Sequence, residues 1–108
     1  MKLIELINME KGIGGLSSLK VNIKHAYQMS LMAAKMRPEL EVFNQKRKEL
    51  SEQFSNDQAG FRNALDDLLQ AEVSLQIDDK IHLSWFKDQT LEASMLFGLE
   101  NILVNDLE

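Results

Sequence analysis

The chain has no cysteine. That excludes a disulfide framework, a thiolate metal site and a thiol nucleophile, and it fits a reducing compartment. It has two histidines, too few for a zinc site unless carboxylates complete the set. No glycine lies between positions 61 and 97, so the acidic residues there lack the sharp glycine turn of a cation-binding loop. No stretch approaches the roughly 18 apolar residues of a membrane span. The opening Met1-Lys2-Leu3-Ile4-Glu5 has an acid where a signal peptide needs an apolar run. The expectation is therefore a protein of the cytoplasm, without a membrane segment.

What is present is ordinary in bulk and unusual in layout. A length of 108 residues predicts one small globular domain. The 44% hydrophobic and 27% charged content is that of a globular protein. The charge is split, however. Residues 1–48 hold nine basic and four acidic residues, a net of +5, whereas residues 49–108 hold three and thirteen, a net of −10. Such asymmetry points to a charged partner or to one half leaning on the other. The overall charge of −5 argues against direct nucleic-acid binding, which depends on phosphate neutralisation.

Along the chain, Leu3, Ile4, Leu6 and Ile7 read equally as a strand or a first helical turn. Gly12-Ile13-Gly14-Gly15 should break any helix running through it. Asn22 is a candidate cap for a helix reaching about Phe54. Its apolar stripe starts at Ile23 and Ala26, and Tyr27, Leu31 and Ala34 widen the first half, which therefore reads as buried on more than one side. Pro38 either kinks this helix or separates two. Ser55-Asn56-Asp57 breaks and caps, and Phe61, Ala64, Leu65, Leu68 and Leu69 predict a helix near 57–71. Val73, Leu75 and Ile77 alternate with polar residues. Asp78-Asp79-Lys80 makes a turn, and Ile81, Leu83 and Trp85 or Phe86 come next, which predicts a β-hairpin. Segment 2–7 could add a third strand. Asp88 or Thr90 could cap a last helix from Leu91 to Leu103. The fold class expected is mainly α, α+β at the margin: a long or Pro-kinked central helix, two shorter helices and a small β-hairpin.

Val21-Asn22-Ile23-Lys24-His25-Ala26-Tyr27 resembles the start of the central helix in an uncharacterised family of small phage and prophage proteins. Glu39-Leu40-Glu41-Val42-Phe43-Asn44-Gln45-Lys46-Arg47-Lys48-Glu49-Leu50 resembles its continuation, and Ala71-Glu72-Val73-Ser74-Leu75 with the Leu91–Ile102 stretch resembles its C-terminal part. The likeness covers about residues 20–103. The glycines at 12–15 depart from it, and so does Asn22, where proline is expected. The resemblance implies a phage-encoded accessory protein in the host cytoplasm and carries over no active residue.

No chemical motif completes itself. Gly12-Ile13-Gly14-Gly15-Leu16-Ser17 lacks the third glycine of a dinucleotide fingerprint. His25 has no acid three or four residues on, and His82 sits close to the predicted turn, so both read as ordinary histidines. Asp66, Asp67, Glu72, Asp78 and Asp79 form an acidic cluster, read as a solvated face or as a mimic of a phosphate backbone. Lys46-Arg47-Lys48 points in several directions around a helix and makes no single patch. Trp85-Phe86 would place one ring inward and one outward on a hairpin, and an outward ring beside Lys87 suits a binding anchor. Met29, Met32 and Met36 share a helix stripe, as core filler or as an adaptable partner groove.

No nucleophile–base pair, metal set or phosphate loop is complete, so the expectation is a protein that is not an enzyme and needs no cofactor. It would act by protein–protein binding on a host or phage protein, with Asp66, Asp67, Glu72, Asp78, Asp79, Trp85 and Phe86 as partner-binding residues. The favoured partner is a host protein such as a defence or nucleic-acid-processing complex. The alternative is a virion or tail-assembly component working as a homo-oligomer.

Overall fold

The computed structural model describes residues 1–107. Among them, four α-helices carry most of the chain: α1 (Leu3–Ser17), α2 (Ile23–Gln53), α3 (Gln58–Leu69) and the short α4 (Ala93–Leu96). A 3-10 turn spans Leu83–Phe86. Two short strands, β1 (Ile81–His82) and β2 (Leu103–Val104), pair in parallel, Ile81 opposite Leu103 and His82 opposite Val104. The protein is thus mainly α around one long central helix. No helix among the described residues is long and apolar enough to cross a membrane.

The glycine cluster does not break α1, contrary to the sequence expectation. Leu3, Leu6, Met9, Ile13 and Leu16 recur every three or four residues and are all buried. Three glycines in a helix cost roughly 1 kcal/mol each, whereas each fully buried aliphatic side chain returns about 1.5–3 kcal/mol. Burial wins. Gly12 has a further role, because a Cβ there would lie 2.7 Å from Cγ of the buried Leu99. Nothing lies within 4 Å of a Cβ at Gly14.

α2 begins as the sequence indicates, with the Asn22 side chain accepting from the Lys24 N–H at 2.8 Å. It runs through Pro38 without a break, so Pro38 separates no helices. Pro38 and Ala34 are exposed. The Ala34 carbonyl, which loses its amide partner to the proline, can therefore turn to water. Met29, Met32 and Met36 are buried against the α1 stripe, with Ile77, Ile81, Phe86, Leu99 and Ile102 closing the core. No residue of α2 beyond Met36, and none of α3, is fully buried. The α2–α3 arm is held by half-buried residues such as Phe43, Leu50, Phe61, Leu65 and Leu68. Asp57 caps α3, its side chain accepting from the Gly60 N–H at 2.9 Å.

Three further expectations are corrected. Val73–Ile77 and Ile81–Phe86 do not form a hairpin, because β1 pairs instead with β2 and Leu83–Phe86 winds into the 3-10 turn. Segment 2–7 is no third strand: only Lys2 bridges Glu72, through Leu3 N–H to the Ala71 carbonyl (2.8 Å) and Val73 N–H to the Met1 carbonyl (2.9 Å), before α1 begins. The last helix is one turn, not Leu91–Leu103, and its cap position is Glu92 rather than Asp88 or Thr90. It ends where Phe97 turns extended (φ −62°, ψ 131°), and Gly98 then takes a left-handed backbone (φ 84°), where a Cβ would meet the Asn8 backbone at 2.7 Å.

Two stability measurements test this packing. Gly12→Ala should destabilise by about 1–2 kcal/mol, overpacking against Leu99 outweighing the gain in helix propensity, while Gly14→Ala should stabilise by up to about 1 kcal/mol. Urea melts of the pair read both signs. Pro38→Ala should stabilise by about 2 kcal/mol, the roughly 3 kcal/mol interior penalty less the unfolded-chain restriction that proline supplies. An unchanged midpoint would show that α2 accommodates the ring without cost.

Candidate functional site

The long helix has two apolar faces. At about 100° per residue, the Met29–Met32–Met36 stripe and the Ile23–Tyr27–Leu31 stripe lie about 170° apart around the helix. A helix lying on one side of a core buries only one of them. α1 covers the methionines, so the expectation that Tyr27, Leu31 and Ala34 are buried is overturned. Ile23 is 80% exposed, Tyr27 64% and Leu31 46%, and Ala34 is also exposed. Leu31, Met32 and Ala34 then floor a shallow hollow of about 520 Å³, rimmed by Gln28, Lys35, Asp79 and Lys80. Ile23, Tyr27 and Leu31 recur every four positions, the spacing by which one helix face anchors in a partner.

The acidic residues singled out from the sequence do not converge. Asp66 and Asp67 are exposed near the end of α3. Glu72 lies 3.1 Å from the Met1 nitrogen. Asp79 pairs with Lys35 at 2.6 Å, which ties the acidic half of the chain to the basic half. Asp78 is exposed and makes no ion pair among the described residues. From Glu72 to Asp78 the chain is without helix, and six residues at about 3.3 Å each separate the two by up to about 20 Å. Of the basic run, Lys46 pairs with Glu49 at 3.3 Å and the Arg47 guanidinium sits 6.0 Å from the Phe43 ring centre. Phe86 is core and Trp85 is half-buried, so an outward aromatic at this pair can only be Trp85.

Both histidines meet that tryptophan, a grouping with no signal in the sequence. His25 stacks on Trp85 with ring centres 4.3 Å apart and planes 7° from parallel. His82 lies at 5.5 Å, tilted by 40°. The buried Nδ1 of His25 makes no hydrogen bond among the described residues. His82 Nδ1 is 3.2 Å from Asp106 Oδ2. Ser84 donates twice to the same carboxylate, from its N–H at 2.8 Å and from its hydroxyl at 2.7 Å. Serine, histidine and aspartate are thus together, but in the wrong order for acyl transfer. A nucleophilic serine gives its proton to the imidazole, and the aspartate orients that imidazole from behind. Here the serine hydroxyl is held by the carboxylate, and the imidazole faces that carboxylate too. The arrangement is a clasp that fixes the segment after β2 onto the 3-10 turn. Among the described residues no three His, Asp or Glu side chains come together to hold a metal ion.

Two surfaces escaped the sequence reading. The signal for the exposed stripe was present: two apolar stripes on one helix, in a chain too short to cover both. The second surface is a run of main chain. Val73, Leu75 and Ile77 turn toward the core and Ser74 and Gln76 away from it, so the period-two pattern is real although no strand pairs there. Among the described residues, no hydrogen bond from or to the main chain of Ser74–Lys80 joins it to another part of the backbone.

No protein-family model, curated protein or solved structure matches this chain.

The Ser84 hydroxyl, and after it the Ser84 amide, hold the Asp106 carboxyl below the usual carboxylate range. A carboxyl lowered in the folded state contributes stability that is complete above its ordinary value of about 3.9 and is lost as the pH falls through the lower folded value. The Ser84 amide resonance should therefore report the Asp106 titration with a midpoint below the ordinary Asp range. In Asp106→Asn that titration should vanish. A Ser84 midpoint at or above the ordinary value would contradict the clasp.

Proposed function

We propose that the protein is a non-enzymatic, phage-encoded accessory factor that binds and modulates a host protein. The observation that carries the binding reading is the exposed Ile23–Tyr27–Leu31 stripe, which runs into the hollow beside Lys35 and Asp79. Large apolar side chains at helical spacing on an open face suit anchoring, and tyrosine is among the residues that dominate such contacts. The non-enzymatic reading is supported by the order of Ser84, Asp106 and His82, which leaves no activated nucleophile. The phage origin rests on the sequence resemblance over residues 20–103. Charge supplies steering: the net −10 of residues 49–108 favours encounter with a basic surface, as on a protein that handles nucleic acid. Asp66, Asp67 and Asp78 are the singled-out acids left without an ion pair among the described residues. They are the steering group in this reading.

The same stripe supports a second reading, self-association in a virion or tail assembly, because a face bare on one copy is bare on the next. Salt separates the two. A steered heteromeric contact weakens as salt rises, and burial of apolar surface between copies does not.

Tagged wild-type protein and Tyr27→Glu should be compared in nuclease-treated host lysate, with sedimentation of each alone. A stoichiometric host protein retained by the wild type and lost, by roughly tenfold or more, with Tyr27→Glu is the expected result. Equal retention by both would remove the stripe from the contact. A wild-type oligomer that Tyr27→Glu dissociates would favour the assembly reading.

A further inference from the structure

A cleft of about 570 Å³ opens between the start of α1, the Val73–Ile77 segment and residues 97–102, and no residue of α2 lines it. One wall is the alternating segment whose main chain has no backbone partner among the described residues from Ser74 onward. A row of free N–H and C=O groups on an extended segment is a template for another strand. The opposite wall carries Phe97, 61% exposed. Among the described residues Glu5 and Glu100 are the charged side chains lining the cleft, and the Met1 ammonium that also lines it is paired with Glu72 at 3.1 Å. Glu100 is steadied there, accepting from the Gly98 N–H at 3.2 Å.

We propose that the unpaired main chain of Ser74–Ile77 is a strand-addition site for an extended segment of a partner protein that carries lysine or arginine. The main chain supplies the pairing, Phe97 supplies apolar contact, and Glu5 with Glu100 selects positive side chains. A second copy is a poorer occupant. An antiparallel pair of copies centred on Leu75 would set Glu72 opposite Asp78 twice, and directly opposed like charges destabilise a strand pair. This site is separate from the Tyr27 face and does not depend on it.

The test uses the full chain and four blocked seven-residue peptides. One alternates lysine and valine, one alternates glutamate and valine, and two are lysine–valine peptides N-methylated at alternate amides in the two possible phases. The lysine–valine peptide should bind at least tenfold more tightly than the glutamate–valine peptide. It should slow amide exchange within residues 74–79, and one N-methylated phase should lose at least tenfold in affinity. The Glu5→Lys, Glu100→Lys double variant should reverse the charge preference, and Tyr27→Glu should bind the lysine–valine peptide like the wild type. Equal binding of the lysine and glutamate peptides, indifference to both methylation phases, unchanged exchange at 74–79, or no binding at millimolar peptide would each overturn the proposal. So would a dimer of the free protein abolished by Gln76→Pro, which would make a second copy the occupant. Loss of host-protein capture by Tyr27→Glu together with unaltered peptide binding distinguishes this site from the stripe.

Discussion

The contact on which the rest depends is the packing of α1 against the methionine face of α2. Leu6, Ile13 and Leu16 on one side and Met29, Met32 and Met36 on the other are all but fully removed from water. This burial carries α1 through its glycines, and the helix so formed positions both ends of the chain. Gly12 lets Leu99 approach closely, and Asn8 receives the backbone at Gly98. Those two contacts set the C-terminal segment across α1, from which Leu103 and Val104 reach β1. Just ahead of α1, Lys2 bridges Glu72 and launches the extended segment. In this antiparallel register Leu3, where the chain turns into helix, faces Ala71, so the pairing stops there, and the main chain of Ser74–Ile77 has no backbone neighbour among the described residues.

The same contact decides which side of α2 faces outward. Methionine suits the inner face because its unbranched side chain fills irregular space between crossing helices. The outer face keeps Ile23, Tyr27 and Leu31 in water. Along the helix, burial is also uneven: full between Met29 and Met36, partial from Leu40 onward. The core is therefore concentrated around α1, and the α2–α3 arm extends from it, which fits a long dimension of 52 Å. Tight packing near α1 and a looser arm predict uneven local stability, with the arm the easier part to open.

Local features were legible in the sequence. Asn22 and Asp57 act as caps, the amphipathic Phe61–Leu69 stretch forms α3, and Met29, Met32 and Met36 fill the core. Each depends on neighbours a few residues away, where propensity and periodicity operate. Features set by distant contacts were not legible. The glycines of α1 are tolerated because of Leu99 and the methionines. β1 pairs with a segment more than twenty residues on, and parallel, whereas a short polar turn suggested a hairpin. His25 meets Trp85 across sixty positions. The charge asymmetry was visible as a sum, and Lys35–Asp79 shows one half resting on the other. The acidic residues looked clustered because they are close in sequence, yet the extended segment between Glu72 and Asp78 spreads them.

The two open surfaces differ in the kind of recognition each can support. A stripe of side chains reads side chains: its strength lies in a few apolar anchors, and replacing one changes the contact sharply. A bare main-chain edge reads backbone: its strength lies in repeated N–H and C=O pairing that any extended segment can supply, biased here only by the sign of Glu5 and Glu100. The first selects a partner by fit, and the second accepts a class of partner by conformation and charge. A small protein with both could hold one target by its folded surface and engage an extended segment of the same target, the second contact becoming intramolecular once the first has formed. Two modest contacts joined in this way give high avidity only if the target can seat its extended segment along Ser74–Ile77 while it holds the stripe. That geometric condition restricts targets more strongly than either surface does alone.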